Sequence, residues 1–127
     1  MNIEELLEKI DKVNADVSVR AEFFQSLVSI LAAEAEISYP GRLRPGPEYD
    51  RAIRNLSALV RVKGKIHAFY NLNCRMGVVP GKSVDDKNGV GDNGFFKALF
   101  DELDQNPEVK TRVFDIIESN LKRLSFS

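Results

Sequence analysis

The sequence predicts an all-α domain, a bundle of four or five helices, on three observations. Apolar residues recur at spacings of three and four through most of the chain. Start and stop signals for helices bracket those stretches, Asn106-Pro107-Glu108 and Tyr39-Pro40-Gly41 being the clearest. The 127 residues, 43% of them hydrophobic, suffice for one core and one domain spanning 1–127.

Ile3, Leu6, Leu7, Ile10 and Val13 form the first stripe, with Glu4, Glu5, Glu8, Lys9 and Lys12 opposite. Asn2 followed by Glu5 fits a capping box. Asn14 and Asp16 suggest a break, with Asp16 or Ser18 capping a second helix, yet the apolar phase continues through Val17, Ala21, Phe24, Leu27, Val28 and Leu31. The amino-terminal part is therefore either one long helix from residue 2 to about 36 or a helix pair. Its apolar face exceeds what a short partner helix covers, which raises a homodimer as an expectation.

Arg44-Pro45-Gly46-Pro47 makes a stiff connection to a third helix sketched by Tyr49, Ile53, Leu56, Val60, Ile66, Phe69 and Tyr70. Leu59–Leu72 also reads as a hairpin turning at Lys63-Gly64-Lys65, because Val60, Val62, Ile66 and Ala68 alternate; helix is preferred. A Gly-rich loop is expected at about 73–93. Phe96, Leu99, Phe100 and Leu103 mark a short helix opening near Asp92 or Asn93. Val109, Val113, Ile116, Ile117, Leu121 and Leu124 mark the last, started by Asn106-Pro107-Glu108. The short joint between these two predicts antiparallel neighbours.

The net charge of −1 excludes a globally basic nucleic-acid binder, and one cysteine, Cys74, excludes an internal disulfide or a Cys-rich zinc module. No stretch reaches the length of a membrane span. The acidic start, Met1-Asn2-Ile3-Glu4-Glu5, is unlike a secretory signal, and a cytoplasmic location is expected.

Charge is strongly segregated along the chain. Residues 1–40 carry three cationic side chains against eight carboxylates, residues 41–82 nine against two, and residues 83–127 six against nine. The central segment is rich in arginine, whose planar fork suits phosphate and carboxylate. Arg42, Arg44, Arg51, Arg54, Arg61, Lys63 and Lys65 are the candidate anion-binding residues. On a helix, Arg51, Arg54 and Arg61 share a broad side. Tyr39, Tyr49 and Tyr70, with Phe69, are candidate stacking faces nearby. The alternative is that this segment pairs with the acidic flanks of its own molecule, a use for which surface ion pairs give little return in stability.

Other motifs carry less. Gly89-Val90-Gly91-Asp92-Asn93-Gly94 has the glycine spacing of a dinucleotide fingerprint but no preceding strand, and Asp92 would repel phosphate. Gly77-Val78-Val79-Pro80-Gly81-Lys82-Ser83 is one residue short of a phosphate loop. Asp85, Asp86, Asn88 and Asp92 offer oxygens to a hard cation, but an EF-hand fails where Lys97 stands for the final glutamate. His67 is the only histidine, so no histidine-rich metal site and no cofactor is expected; with Cys74 it could form a nucleophile pair, but no orienting third group is evident.

Arg61-Val62-Lys63-Gly64-Lys65-Ile66-His67 resembles the Arg-x(4–6)-His motif of the HEPN ribonucleases. The resemblance implies a dimeric helical bundle that cleaves RNA without metal, with Arg61 stabilising phosphate charge and His67 transferring a proton. It covers these residues alone, and Val62 stands where that family usually has a polar residue.

The reading preferred is a small, non-enzymatic binding or regulatory protein whose basic segment (41–82) engages an anionic partner: nucleic acid, nucleotide phosphate or an acidic protein surface. A protein–protein adaptor, inhibitor or antitoxin-like regulator acting through the apolar face of residues 3–31 is the alternative, with the metal-independent ribonuclease behind it.

Overall fold

A computed structural model describes residues 1–42, 44–73 and 91–125. Five α-helices follow one another: α1 (Ile3–Asn14), α2 (Val17–Ile37), α3 (Pro47–Asn73), α4 (Gly91–Glu102) and α5 (Pro107–Ser125), with a one-turn 3₁₀ helix, Leu103–Gln105, between the last two. Among the described residues there is no strand, and the fold is all-α as expected. No helix among them is long and apolar enough to cross a membrane.

The amino-terminal segment is a helix pair. Asp16 leaves the helical region (φ −90°, ψ 123°), and its Oδ1 accepts the backbone N–H groups of Ser18 and Val19 at 2.8 and 3.1 Å. Two otherwise orphaned donors are thereby satisfied, which is why the apolar phase continues while the helix does not. Asn2 caps α1 by accepting the Glu5 N–H at 2.8 Å, and Asn106 caps α5 by accepting that of Val109 at 3.2 Å.

Residues 59–72 are helical without interruption, Gly64 included, so the hairpin alternative is overturned. Val62, Ile66, Phe69 and Tyr70 bury one face of α3, and Leu59 joins them; alternation over a few residues cannot outweigh that 3.6-residue period.

The core runs through all five helices. Leu6 and Ile10 of α1, Phe23, Phe24, Leu27 and Leu31 of α2, Ile66 of α3, Phe96 of α4, and Val113 and Ile117 of α5 are fully buried. Aromatic rings knit its middle: Phe24 stacks on Phe96 at 5.8 Å between centroids, and Phe69 on Phe95 at 4.2 Å.

α2 packs chiefly on α3 and α5, while α4 packs on α1. The expected side-by-side pairing of the last two helices therefore gives way. The 3₁₀ turn redirects the chain at Asn106, and α4 reaches α5 through contacts such as Phe100 on Phe114.

Much of the apolar face of residues 3–31 packs inside this bundle: Leu6, Leu7, Ile10, Phe24, Leu27 and Leu31 are all buried, whereas Val17 and Ile30 are exposed.

A buried polar cluster fastens the start of α4. Arg20 donates from Nε to Asp92 Oδ2 at 2.9 Å and from Nη2 to Oδ1 at 2.7 Å, and Asn14 Nδ2 donates to Oδ2 at 2.8 Å. All three residues are at most 2% exposed. Gly91, just before, takes a left-handed φ of 65°, a conformation that glycine adopts without a Cβ clash.

Candidate anion-binding site

On an uninterrupted helix each residue advances about 100°, so Arg51, Arg54, Arg61 and Lys65 fall within an arc of about 80° on one flank of α3. Ser57 and Ala58 lie between Arg54 and Arg61, and their small side chains leave a depression there. Across it stand Leu99 and Glu102 of α4 and the turn Leu103–Asn106. Together these residues bound a groove of about 370 Å³, lined by Arg54, Arg61 and Lys65 and floored by Ile53, Ala58, Val62, Leu99 and Leu103.

The groove carries three cations and one carboxylate among its lining residues. Lys65 pairs with Glu102. That hydrogen bond holds the Glu102 carboxyl below its ordinary pKa, aided by the positive charges of Lys65 and of Arg61, which places the Arg61 guanidinium within electrostatic reach. Arg54 and Arg61 are exposed and, among the described residues, have no carboxylate within 4 Å. Beside the groove, Asn106 Nδ2 donates to Asn55 Oδ1 at 3.1 Å and ties the cap of α5 to α3.

The remaining candidates are distributed elsewhere. Arg51 donates from Nε and Nη2 to Glu108 Oε2 at 2.8 and 2.6 Å, an exposed pair linking α3 to α5. The hydrogen bond from Arg51, and then one involving Asn55, holds Glu108 below the usual carboxylate range. Lys63 is about 160° around α3 from both Arg61 and Lys65. Arg42 lines a separate, open cavity of about 620 Å³ with Tyr39 and Ala52, and Arg44 is exposed in the adjoining connection. Self-neutralisation therefore accounts for Arg51 and Lys65 and, among the described residues, not for Arg42, Arg44, Arg54 or Arg61.

Of the candidate stacking faces, Tyr39 is 67% exposed, its ring over Gly41, where an added Cβ would sit 3.0 Å from Cε1. Tyr49 is half-buried. Tyr70 is a core residue, 9% exposed, whose hydroxyl accepts a 2.8 Å hydrogen bond from Gln25 Nε2. Phe69 is likewise buried, so neither presents a face for stacking. Arg61 and His67 are both exposed but stand about 120° apart around α3 and about 9 Å along it.

Cys74, Arg75, the segment Gly77–Ser83, Asp85, Asp86 and Asn88, with most of the expected 73–93 loop, lie outside the described residues. Asn73 ends α3 and Gly91, Asp92 and Asn93 open α4. Among the described residues no group of three histidine, cysteine, aspartate or glutamate side chains is placed to hold a metal ion. Asp92, read as a cation ligand candidate, is engaged by Arg20 and Asn14 instead.

The buried Arg20–Asp92 pair is the feature the charge pattern alone did not reveal. Its signal is one of phase: Arg20 sits four and seven residues before Phe24 and Leu27, on the buried stripe of α2.

The chain matches no known family model, and no curated protein or solved structure matches it significantly.

Proposed function

We propose that this protein acts by binding, with the flank of α3 around Arg54 and Arg61 engaging an anionic partner. The observation that carries this reading is that Arg54 and Arg61 line one concave surface and have no carboxylate partner among the described residues. Other exposed arginines of the helices are paired, Arg51 with Glu108 and Arg112 with Glu34, whereas Arg42 and Arg44, in the connection before α3, are not. An arginine fork beside apolar walls binds phosphate or carboxylate more tightly than one in open water, because the local dielectric is lower and the geometry permits two parallel hydrogen bonds. Binding without catalysis is favoured because Arg61 and His67, the residues a ribonuclease-like mechanism would need, do not share a face of α3.

The test is a set of salt titrations with inorganic phosphate, pyrophosphate and an oligothymidylate as probes. They are run on the unaltered protein, on Arg54→Ala/Arg61→Ala, and on Arg42→Ala/Arg44→Ala, which removes the same charge away from the groove. The proposal expects at least one probe to bind, more weakly as salt rises, with binding lost in the groove variant and kept in the control. Equal loss in both variants, or no binding by any probe, contradicts it.

A further inference from the structure

Resting on that reading, we infer that the groove's ligand is a compact amphipathic anion: one phosphate or carboxylate head held by Arg54 and Arg61, with an apolar or aromatic body seated on the groove floor.

Size is the first argument. A space of about 370 Å³ lies within the range of small-molecule sites, roughly 300–1,000 Å³. The two arginines stand two turns apart, about 10 Å along α3, with Ser57 and Ala58 between them, and both line the groove. That arrangement offers one head group two planar forks.

The floor is the second argument. Ile53 and Ala58 are half-buried, with Val62, Leu99 and Leu103 beneath them. A bare inorganic anion gains nothing from apolar walls. A ligand carrying a hydrocarbon or ring system gains from covering them, at roughly 25 cal/mol for each Å² removed from water.

Charge at the groove's ends is the third. Lys65 is neutralised by Glu102 at one end, while beyond Arg54 stand Arg51 with Glu108 and the first-turn acids Glu48 and Asp50. A continuous phosphate chain leaving the groove either way would meet carboxylates. Of the other central cations without an ion pair among the described residues, Arg42 and Arg44 precede α3, Arg42 lining a different cavity, and Lys63 lies on another side of α3. The positive potential is a spot and not a track, which suits one head group better than a nucleic-acid strand.

Calorimetric titration with flavin mononucleotide, adenosine monophosphate and dodecyl phosphate tests this, each compared with inorganic phosphate and the first two also with riboflavin and adenosine. Titrations at about 0.15 M salt, with an oligothymidylate in parallel, keep long-range attraction screened. The expected result is that at least one amphipathic anion binds at least about tenfold tighter than its separate parts, the worth of one charge-assisted contact. Arg54→Ala/Arg61→Ala should abolish that advantage and Arg42→Ala/Arg44→Ala should keep it. Circular dichroism confirms that both variants are folded. Binding of the oligothymidylate or inorganic phosphate alone, lost in the groove variant, overturns this inference and leaves the anion-binding function standing. Binding by none of these probes overturns both. Amphipathic binding that survives loss of Arg54 and Arg61 shows that the head group is held elsewhere, and also overturns the inference.

Discussion

Arg20 and Asp92, 72 residues apart in the chain, meet in a two-point ion pair with less than 3% of either side chain exposed. Their partner Asn14 completes a junction of α1, α2 and the first turn of α4. Desolvating two charges is costly, and their mutual hydrogen bonds, with the one from Asn14, help to offset it. Removing one member takes from the other its two-point charged partner. Arg20→Ala or Asp92→Ala should each lower stability by about 3–5 kcal/mol in urea unfolding. The double change Arg20→Met/Asp92→Leu should recover much of that loss. Similar losses for the single and double variants would show that the pair itself is not what fastens α4.

Gly64 sits in the interior of α3, exposed, with nothing within 4 Å of where a Cβ would be. Its flexibility in the unfolded chain is a cost that the helix bears for no structural gain. Gly64→Ala should stabilise the protein by about 0.5–1 kcal/mol, read as a higher urea midpoint with an unchanged slope. Destabilisation would mean that residues 59–72 are not the continuous helix described.

Leu27 is fully buried and Ile116 is 4% exposed, on helices that pack against each other. Changing either to alanine should cost about 2–5 kcal/mol, the higher end applying where neighbours cannot close the cavity. A near-zero cost at either position would put the helical phase of α2 or α5 in error.

Arg112 grips Glu34 through Nε and Nη2 at 2.6 and 2.8 Å, joining α5 to α2. That hydrogen bond, opposed in part by burial and aided by the charge of Arg112, holds Glu34 below its ordinary 4.5. A carboxyl lowered on folding adds stability that is present above its unfolded value and lost as pH falls through the folded one. Glu102 and Glu108 move in the same direction through Lys65 and Arg51. Asp11 has the opposite sign: burial, with a contribution from the charge of Asp92, raises it against the hydrogen bond from Asn93. Its contribution is full below its unfolded value and lost as pH rises through the folded one. Stability should therefore fall as pH drops below about 4.5. Glu34→Gln should cost no more than about 1 kcal/mol at neutral pH and flatten that acid limb. Asp11→Asn should leave neutral stability unchanged or raised. An acid limb of the same steepness in Glu34→Gln would assign it to other carboxylates.

The helices were legible because burial imposes a period that local ambiguity does not erase. Leu6, Ile10, Phe24, Val113 and Ile117 repeat at helical spacing and are all buried. The capping residues Asp16 and Asn106 were legible for the same local reason, since a cap is decided within four residues. The long-range polar contacts were not. Nothing near Arg20 in the sequence announces Asp92, and the charge pattern around Arg51 does not foretell that Glu108 would arrive from α5. Charge segregation pointed to the segment that forms α3, but linear proximity says nothing about which side of a helix a residue occupies. Arg54 and Arg61 share a groove, whereas Arg42 lines another cavity and Lys63 points away from their arc. Tyr70 was misread as a stacking face because a tyrosine on a buried stripe looks the same in sequence whether its hydroxyl meets solvent or Gln25.

The most direct test is amide chemical-shift mapping with pyrophosphate titrated into the isotopically labelled protein. Saturable shifts are expected at Arg54, Ser57, Ala58 and Arg61 and across the groove at Leu103–Asn106, with little change near Tyr39 and Arg42. Shifts centred on Arg42 and Arg44, or spread evenly over exposed cations on every helix, would contradict it.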